Sequence, residues 1–213
     1  MAQKNLWLVR ANPEGTNRLQ EFLQHSILAI GWPKIPDMTN QTKGDIRISL
    51  IQGTAYTGKD ANLKVGLINH FVNNMEQGDW CLVPDSENIE NIYLAEIAGD
   101  YYFKQENKKD GYPHQRKIKW LNNRKPLNRY ELPEDIQTSL RTQLTVADLS
   151  SHLKLLTEYI EGNHLIYGYD LEEELRSLVP KSLQNLKKEI ESDDPSRRLQ
   201  ASIAVLSLVQ KTK

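Results

Sequence analysis

Two carboxylates on neighbouring apolar runs are the first place to look for reaction chemistry in this chain. Asp85 follows Pro84, and Glu96 precedes Ile97 and Ala98, an order much like the acid pair of a metal-dependent nuclease. That reaction also needs a cation to assist the attacking water and the phosphate, and Ala98 stands where the lysine belongs. His25, His70, His114, His152 and His164 show neither HExxH nor HxH spacing, so no metal pair is written into one helix or strand. Cys81 lies in an apolar run with no neighbouring histidine and reads as a core thiol. As the single cysteine it excludes an intrachain disulfide, and a thiolate zinc site would need more partners. Gly58-Lys59 is followed by Asp60 without the glycines of a phosphate loop, and no GxGxxG occurs. No catalytic residue, metal site or cofactor is therefore expected, and what remains is binding chemistry.

That chemistry is concentrated in one segment. Residues 76–100 carry seven acids and no Lys or Arg, whereas 101–130 carry six Lys and three Arg against Glu106 and Asp110, a local charge of +7 in a chain whose total is −1. Tyr101, Tyr102, Phe103, Tyr112 and Trp120 are interleaved with these cations, the combination that meets phosphates and stacks bases. A Lys-rich hairpin that keeps a sheet edge soluble is the alternative.

The elements that must position these residues are legible from periodicity. Leu6, Leu8 and Arg10 alternate with Trp7, Val9 and Ala11 up to the turn Asn12-Pro13-Glu14-Gly15, predicting a first strand. Leu19, Phe22 and Leu23 give one helical face to about Ser26, and Ile27–Trp32 reads as a buried strand that delivers Trp32 into a loop closed by Pro33. A short helix over 43–52 and a second over 61–75 come next. Strands are expected over Trp80–Val83, Ile92–Ala98, Lys117–Leu121 and Leu127–Leu132. Beyond about Leu144 the pattern turns helical, with Leu149, Leu153, Leu156 and Ile160 on one face. The last segment, 195–209, is apolar on more than one face, and Asp193-Asp194-Pro195 with Arg198 and Ala201 is similar to part of a HEAT unit. Trp7 and Trp80 sit inside apolar strands and read as core, Trp120 as core or rim, and Trp32 as the tryptophan placed to meet a ligand.

The chain has 213 residues, 38% hydrophobic and 26% charged, with a mean hydropathy of −0.61. This allows one domain with an appendage, or two small ones. No apolar run approaches the roughly 18 residues of a spanning helix, and MAQKNLWLVR lacks the apolar core of a signal peptide. No membrane partner and a cytoplasmic location are expected.

Five runs taken together carry a resemblance. LWLVRANPEG, LAIGWPKIPDMT, MEQGDWCLVPD, YLAEIAGDYYF and HQRKIKWL resemble, in order and spacing, the EVE/YTH-like branch of the PUA superfold. The version that precedes McrB-type and Mrr-type restriction proteins is the most similar. The likeness covers about residues 5–145 and leaves 146–213 outside it, without the nuclease or GTPase motor of those proteins. It implies an α/β (α+β) fold with a PUA-like curved mixed sheet or barrel over 1–145, followed by an all-helical tail over 146–213.

It also implies a reader that holds a flipped, methylated base between aromatic walls, in DNA more than RNA, in a restriction or defence setting. Trp32 and Tyr112 match two walls of the cage. The loop that should give the third, 85–92, has no aromatic, and Tyr102, Tyr101 or Tyr56 would have to substitute. Arg10, Asn12 and Asp85 would read the edge of the base. Lys108, Lys109, Arg116, Lys117 and Arg124, with His114 beside them, would meet the backbone. The tail would form a homodimer or dock a separate effector protein. The alternative is a protein-interaction or dimerisation module whose barrel has degenerated and binds nothing.

Overall fold

The structure, a computed structural model, describes residues 4–162, 182 and 184–211. The chain divides into two compact units, Met1–Tyr167 and Gly168–Lys213.

The first unit is built on a seven-stranded mixed sheet. β1 (Leu6–Val9), β2 (Ile27–Ile30), β3 (Trp80–Pro84), β4 (Asn91–Phe103), β5 (His114–Trp120) and β7 (Val146–Asp148) run in the order β2-β5-β4-β3-β1-β7. β6 (Leu127–Asn128) pairs the start of β4. Only β1 and β3 are parallel. Helices α1 (Leu19–His25), α2 (Lys43–Gly53), α3 (Gly58–Asn69), α4 (Glu134–Ser139) and α5 (Leu153–Gly162) complete the unit. α2 starts on a capping box, in which Thr42 and Asp45 each accept the other's backbone N–H.

The central strands are buried on both faces, which is why β1 and β3 are apolar at every position. Trp7, Val9, Cys81 and Val83 face one cluster, which also holds Phe22, Leu50, Ile68 and Trp120. Leu6, Leu8, Trp80 and Leu82 face the other, closed by Ile136 of α4 and by Leu156 and Ile160 of α5. Period-2 alternation thus serves two cores, one under α1–α3 and one under α4–α5.

The sheet is open, which corrects the expected PUA-like curled barrel. β2 ends the order on one side and β7 on the other, and no ladder joins them. Residues Ile27–Ile30 of β2 and Val146 of β7 instead belong to the same buried cluster as Ile46, Leu50, Val65 and Ile68 of α2 and α3. The expected all-helical segment from 146 also differs, since it begins with β7, antiparallel to β1, and α5 packs on the second core. In the second unit a helix over Pro195–Lys211 starts at proline, with the Asp194 carboxylate accepting the Ser196 N–H at 2.8 Å.

Arg116 joins the helix layer to the sheet. α3 passes into a wide π-type turn over His70–Asn74, and the carbonyls of its last turn have no partner within the helix. Arg116, 3% exposed, donates from Nε to the Phe71 carbonyl at 2.6 Å and from Nη2 to that of Val72 at 2.9 Å. Its Nη1 reaches the Gly99 carbonyl at 3.1 Å, in the bulge where β4 shifts register against β5. A cation at a helix C-terminus is well placed for the dipole, although burial lowers the guanidinium pKa to about 10. We expect Arg116→Met to leave three carbonyls unpaired and to lower stability by roughly 3 kcal/mol. Arg116→Lys should recover only part of this, because one ammonium cannot span the fork. Urea unfolding checks both, and a loss in Arg116→Met below about 0.5 kcal/mol would contradict the cap.

Candidate functional site

Trp32 lies at the end of β2 with a left-handed backbone, φ 62°, rare for a bulky residue. Pro33 also pushes the residue before it toward extended geometry. Both polar groups of the Trp32 backbone are held. Its N–H donates to the Glu14 carboxylate at 2.7 Å, and its carbonyl accepts the Ile35 N–H at 3.0 Å and faces His114 Nε2 at 3.3 Å. A carbonyl can only accept, so the His114 proton is on Nε2. Nδ1 then accepts from the Tyr101 hydroxyl at 2.8 Å, and that hydroxyl itself accepts the Met38 N–H at 3.1 Å. The line Met38–Tyr101–His114–Trp32 is satisfied at every atom with a neutral imidazole. Burial accordingly lowers the His114 pKa to about 4.

The structure places the expected cage residues differently from free-standing walls. Trp32 is 8% and Tyr112 6% exposed, and both belong to the first core cluster. One side of the Tyr112 ring is taken by the Arg18 guanidinium, 5.2 Å from its centroid. Arg18 is fixed there by Glu21 at 2.8 Å and by the Asp110 carbonyl at 3.0 Å. Tyr102 is half-buried, its hydroxyl donating to Gln115 at 2.9 Å, and Gln115 in turn donates to the Tyr112 carbonyl at 3.0 Å. Glu14 bridges the loops of Trp32 and Tyr112. A β-carbon on Gly31 would collide with its carboxylate, and one on Gly111 would lie 3.2 Å from its Cγ.

The residues expected to read a base edge do not gather at Trp32. Arg10 donates to the carbonyls of Leu140 and Thr142 and so ties down the chain after α4; burial, then Arg129, lowers its pKa. Asn12 accepts from Ser86 at 3.1 Å, and the Asp85 carboxylate accepts the N–H groups of Glu87 and Asn88. These two stand on adjoining loops, where Oδ1 of each is taken by a local bond. Asp85 and Glu96 lie at opposite ends of the β3–β4 ladder, where Pro84 is opposite Ile92 and Trp80 opposite Glu96, and Glu96 pairs with Lys4 at 3.3 Å.

Of the expected backbone contacts, Arg116 is the helix cap and His114 the buried link to Trp32. Lys108, Lys109, Lys117 and Arg124 are exposed, with Lys117 also lying over the Tyr102 ring. A sequence signal for this division exists in the phase of β5. His114 and Arg116 are in step with buried Ile118 and Trp120, whereas Lys117 and Lys119 alternate outward. Lys34 and Glu14 carry no sequence signal, because each belongs to a short turn without apolar periodicity.

Next to Trp32 opens a cleft of about 830 Å³, lined by Pro33, Lys34, Gln105, Glu106, Lys108 and Lys109. Three of the six are lysines. A second cleft of about 760 Å³ is lined by Asn73, Glu76, Asp100, Tyr101 and Arg116 among others, and its carboxylates suit a polyanion less well. Among the described residues no group of three His, Cys, Asp or Glu is placed to hold a metal, and no helix is long and apolar enough to cross a membrane. The Cys81 thiol is fully buried, and burial pushes its pKa up.

The profile of a domain of unknown function, DUF8426, matches residues 7–150. No curated protein matches the chain. Among solved structures, a hypothetical protein from Leishmania major is 14% identical, covering 75% of this chain and 97% of its own, with a TM-score of 0.39. A protein from Agrobacterium tumefaciens is 12% identical over 76% and 95%, at 0.37. One from Rhodopseudomonas palustris is 15% identical over 78% and 97%, at 0.36.

The His114 link makes stability depend on pH. The unfolded chain titrates this group at the ordinary 6.5 and the folded chain at about 4, so between these values the unfolded state binds the extra proton. Its contribution is whole above 6.5 and is lost as pH falls through 4, by up to about 3 kcal/mol. Urea unfolding at pH 7 and pH 4.5 should show a smaller drop for His114→Gln than for the parent. Equal drops in the two proteins would rule the link out.

Proposed function

The chain belongs to the DUF8426 family, and from that premise we propose that it is a nucleic-acid-binding module without catalytic activity. It reads a modified base in DNA more than in RNA. The observation that carries the reading is the cleft beside Trp32, where Lys34, Lys108 and Lys109 line a space of about 830 Å³. That is room for a nucleotide, with cations spaced along its rim for flanking phosphates. Exposed Lys104, Lys117 and Arg124 extend the same sign along and beyond the β4–β5 hairpin. Likeness of the five sequence runs to EVE/YTH-like readers supports the modified base, and the restriction-type members among them support DNA.

The buried state of Trp32 and Tyr112 sets how such a module works. With little free ring face, stacking contributes less than the roughly 1–3 kcal/mol per base of an open platform. Affinity then rests on phosphate contacts, and preference for a methylated base on the apolar Pro33 ring that lines the cleft. Asn12 and Asp85 act in loop structure here, and Arg10 and Arg116 in packing.

One observation favours a second reading, a protein-interaction or dimerisation module. Leu199 and Ile203, one turn apart on the last helix, are 63% and 57% exposed. Sedimentation of the full chain against Leu199→Glu/Ile203→Glu tests it, and an oligomer lost in the variant is its expected result.

For the principal reading, fluorescence anisotropy with a labelled 12-base-pair duplex, methylated at adenine or cytosine or plain, measured across salt concentrations, is the test. We expect tighter binding to one methylated duplex and a steep loss of affinity with salt. Lys108→Ala/Lys109→Ala should flatten the salt slope by roughly two with little change in preference between duplexes. Binding that is equal for all duplexes and independent of salt would sink the reading.

A further inference from the structure

We propose that Glu14 is a positioning residue of the cleft, its carboxylate fixing the left-handed backbone of Trp32 and with it the wall formed by Pro33 and Lys34. This rests on the reading of that cleft as the ligand site. Four observations carry it. Glu14 is itself left-handed, φ 49°, in the turn Pro13–Gly15, so the turn is shaped around it. Its Oε1 accepts the Trp32 N–H at 2.7 Å, the one hydrogen bond that this N–H makes among the described residues. Gly31, the residue before Trp32, leaves the space that the carboxylate fills, and Gly111, the residue before Tyr112, leaves space for its methylene groups. Finally, Glu14 is exposed, whereas His114, which holds the other end of the Trp32 peptide, is 1% exposed.

A non-glycine residue in left-handed geometry persists only where its surroundings over-determine it, and such residues collect at ligand sites. Releasing the N–H frees Trp32 to move toward the extended backbone that Pro33 favours, carrying Pro33 and Lys34 with it. A bystander role makes a different forecast. A carboxylate that held nothing in place would simply repel a polyanion, and its removal by any substitution would tighten binding.

Three variants separate these roles. Glu14→Gln keeps the reach and the acceptor oxygen without the charge, Glu14→Asp keeps the charge but is one methylene short, and Glu14→Ala keeps neither. Two readouts are taken on each: hydrogen exchange of the Trp32 amide by NMR, and affinity for the methylated duplex. We expect Glu14→Ala and Glu14→Asp to speed exchange at Trp32 and to weaken binding, each by about tenfold. Glu14→Gln should keep both near the parent values. Unchanged exchange in Glu14→Ala, or Gln and Ala variants that behave alike, would overturn the proposal. A parent chain that binds no duplex would remove the reading of the cleft, while the exchange rates would still decide whether Glu14 holds Trp32.

Discussion

An L-residue with a left-handed backbone brings its β-carbon against the following carbonyl oxygen, at a cost of about 1–2 kcal/mol. Trp32 adopts that backbone before a proline, so the geometry has to be imposed by neighbours. Glu14 from the turn after β1 takes its N–H, and His114 from β5 takes its carbonyl. Two elements remote in sequence thereby fix one residue at the end of β2, and β2 itself is an edge strand with a single neighbour, β5. The Tyr101–His114 pair extends the same line into β4 and to the Met38 N–H. The loop that lines the cleft is thus tied at both ends to the two longest strands of the sheet.

The charge of the chain is organised by the same strands. A total of −1 conceals a strongly basic segment beside an acidic one, and folding divides the basic segment again. Arg116 goes inside as the cap of α3, while Lys108, Lys109, Lys117 and Arg124 remain outside. Lys34 joins Lys108 and Lys109 from a different part of the chain. Interactions among these exposed charges fall off over a Debye length of about 8 Å at physiological salt, so under the proposed function any pull on a polyanion is local to these side chains.

How much of this the sequence discloses varies with how local the cause is. The extents of β1–β3 and of α1–α3 follow periodicity to within a few residues, because apolar spacing is set by each segment itself. Strand closure is not local. The short runs of β2 and β7 look the same in a barrel and in an open sheet, and what separates them is whether the two edge strands pair with each other, which depends on packing across the whole chain. Trp32 is legible as a strand-end residue flanked by Gly31 and Pro33, but its burial depends on partners tens of residues away. His114 and Arg116 are polar residues in a basic run, but their phase in β5, in step with Ile118 and Trp120, marks them as inward-facing. Glu14 had no signal beyond its place in a turn.

The central claim is that a nucleic acid enters beside Trp32, between the loop after β2 and the β4–β5 hairpin. Chemical-shift mapping of the labelled full chain, titrated with a methylated duplex, tests it most directly. The account predicts that the perturbed amides concentrate at 31–34 and 104–112, with the β3–β4 end near Asp85 unmoved. Perturbations centred on the face away from that cleft, or none at saturating duplex, would contradict it.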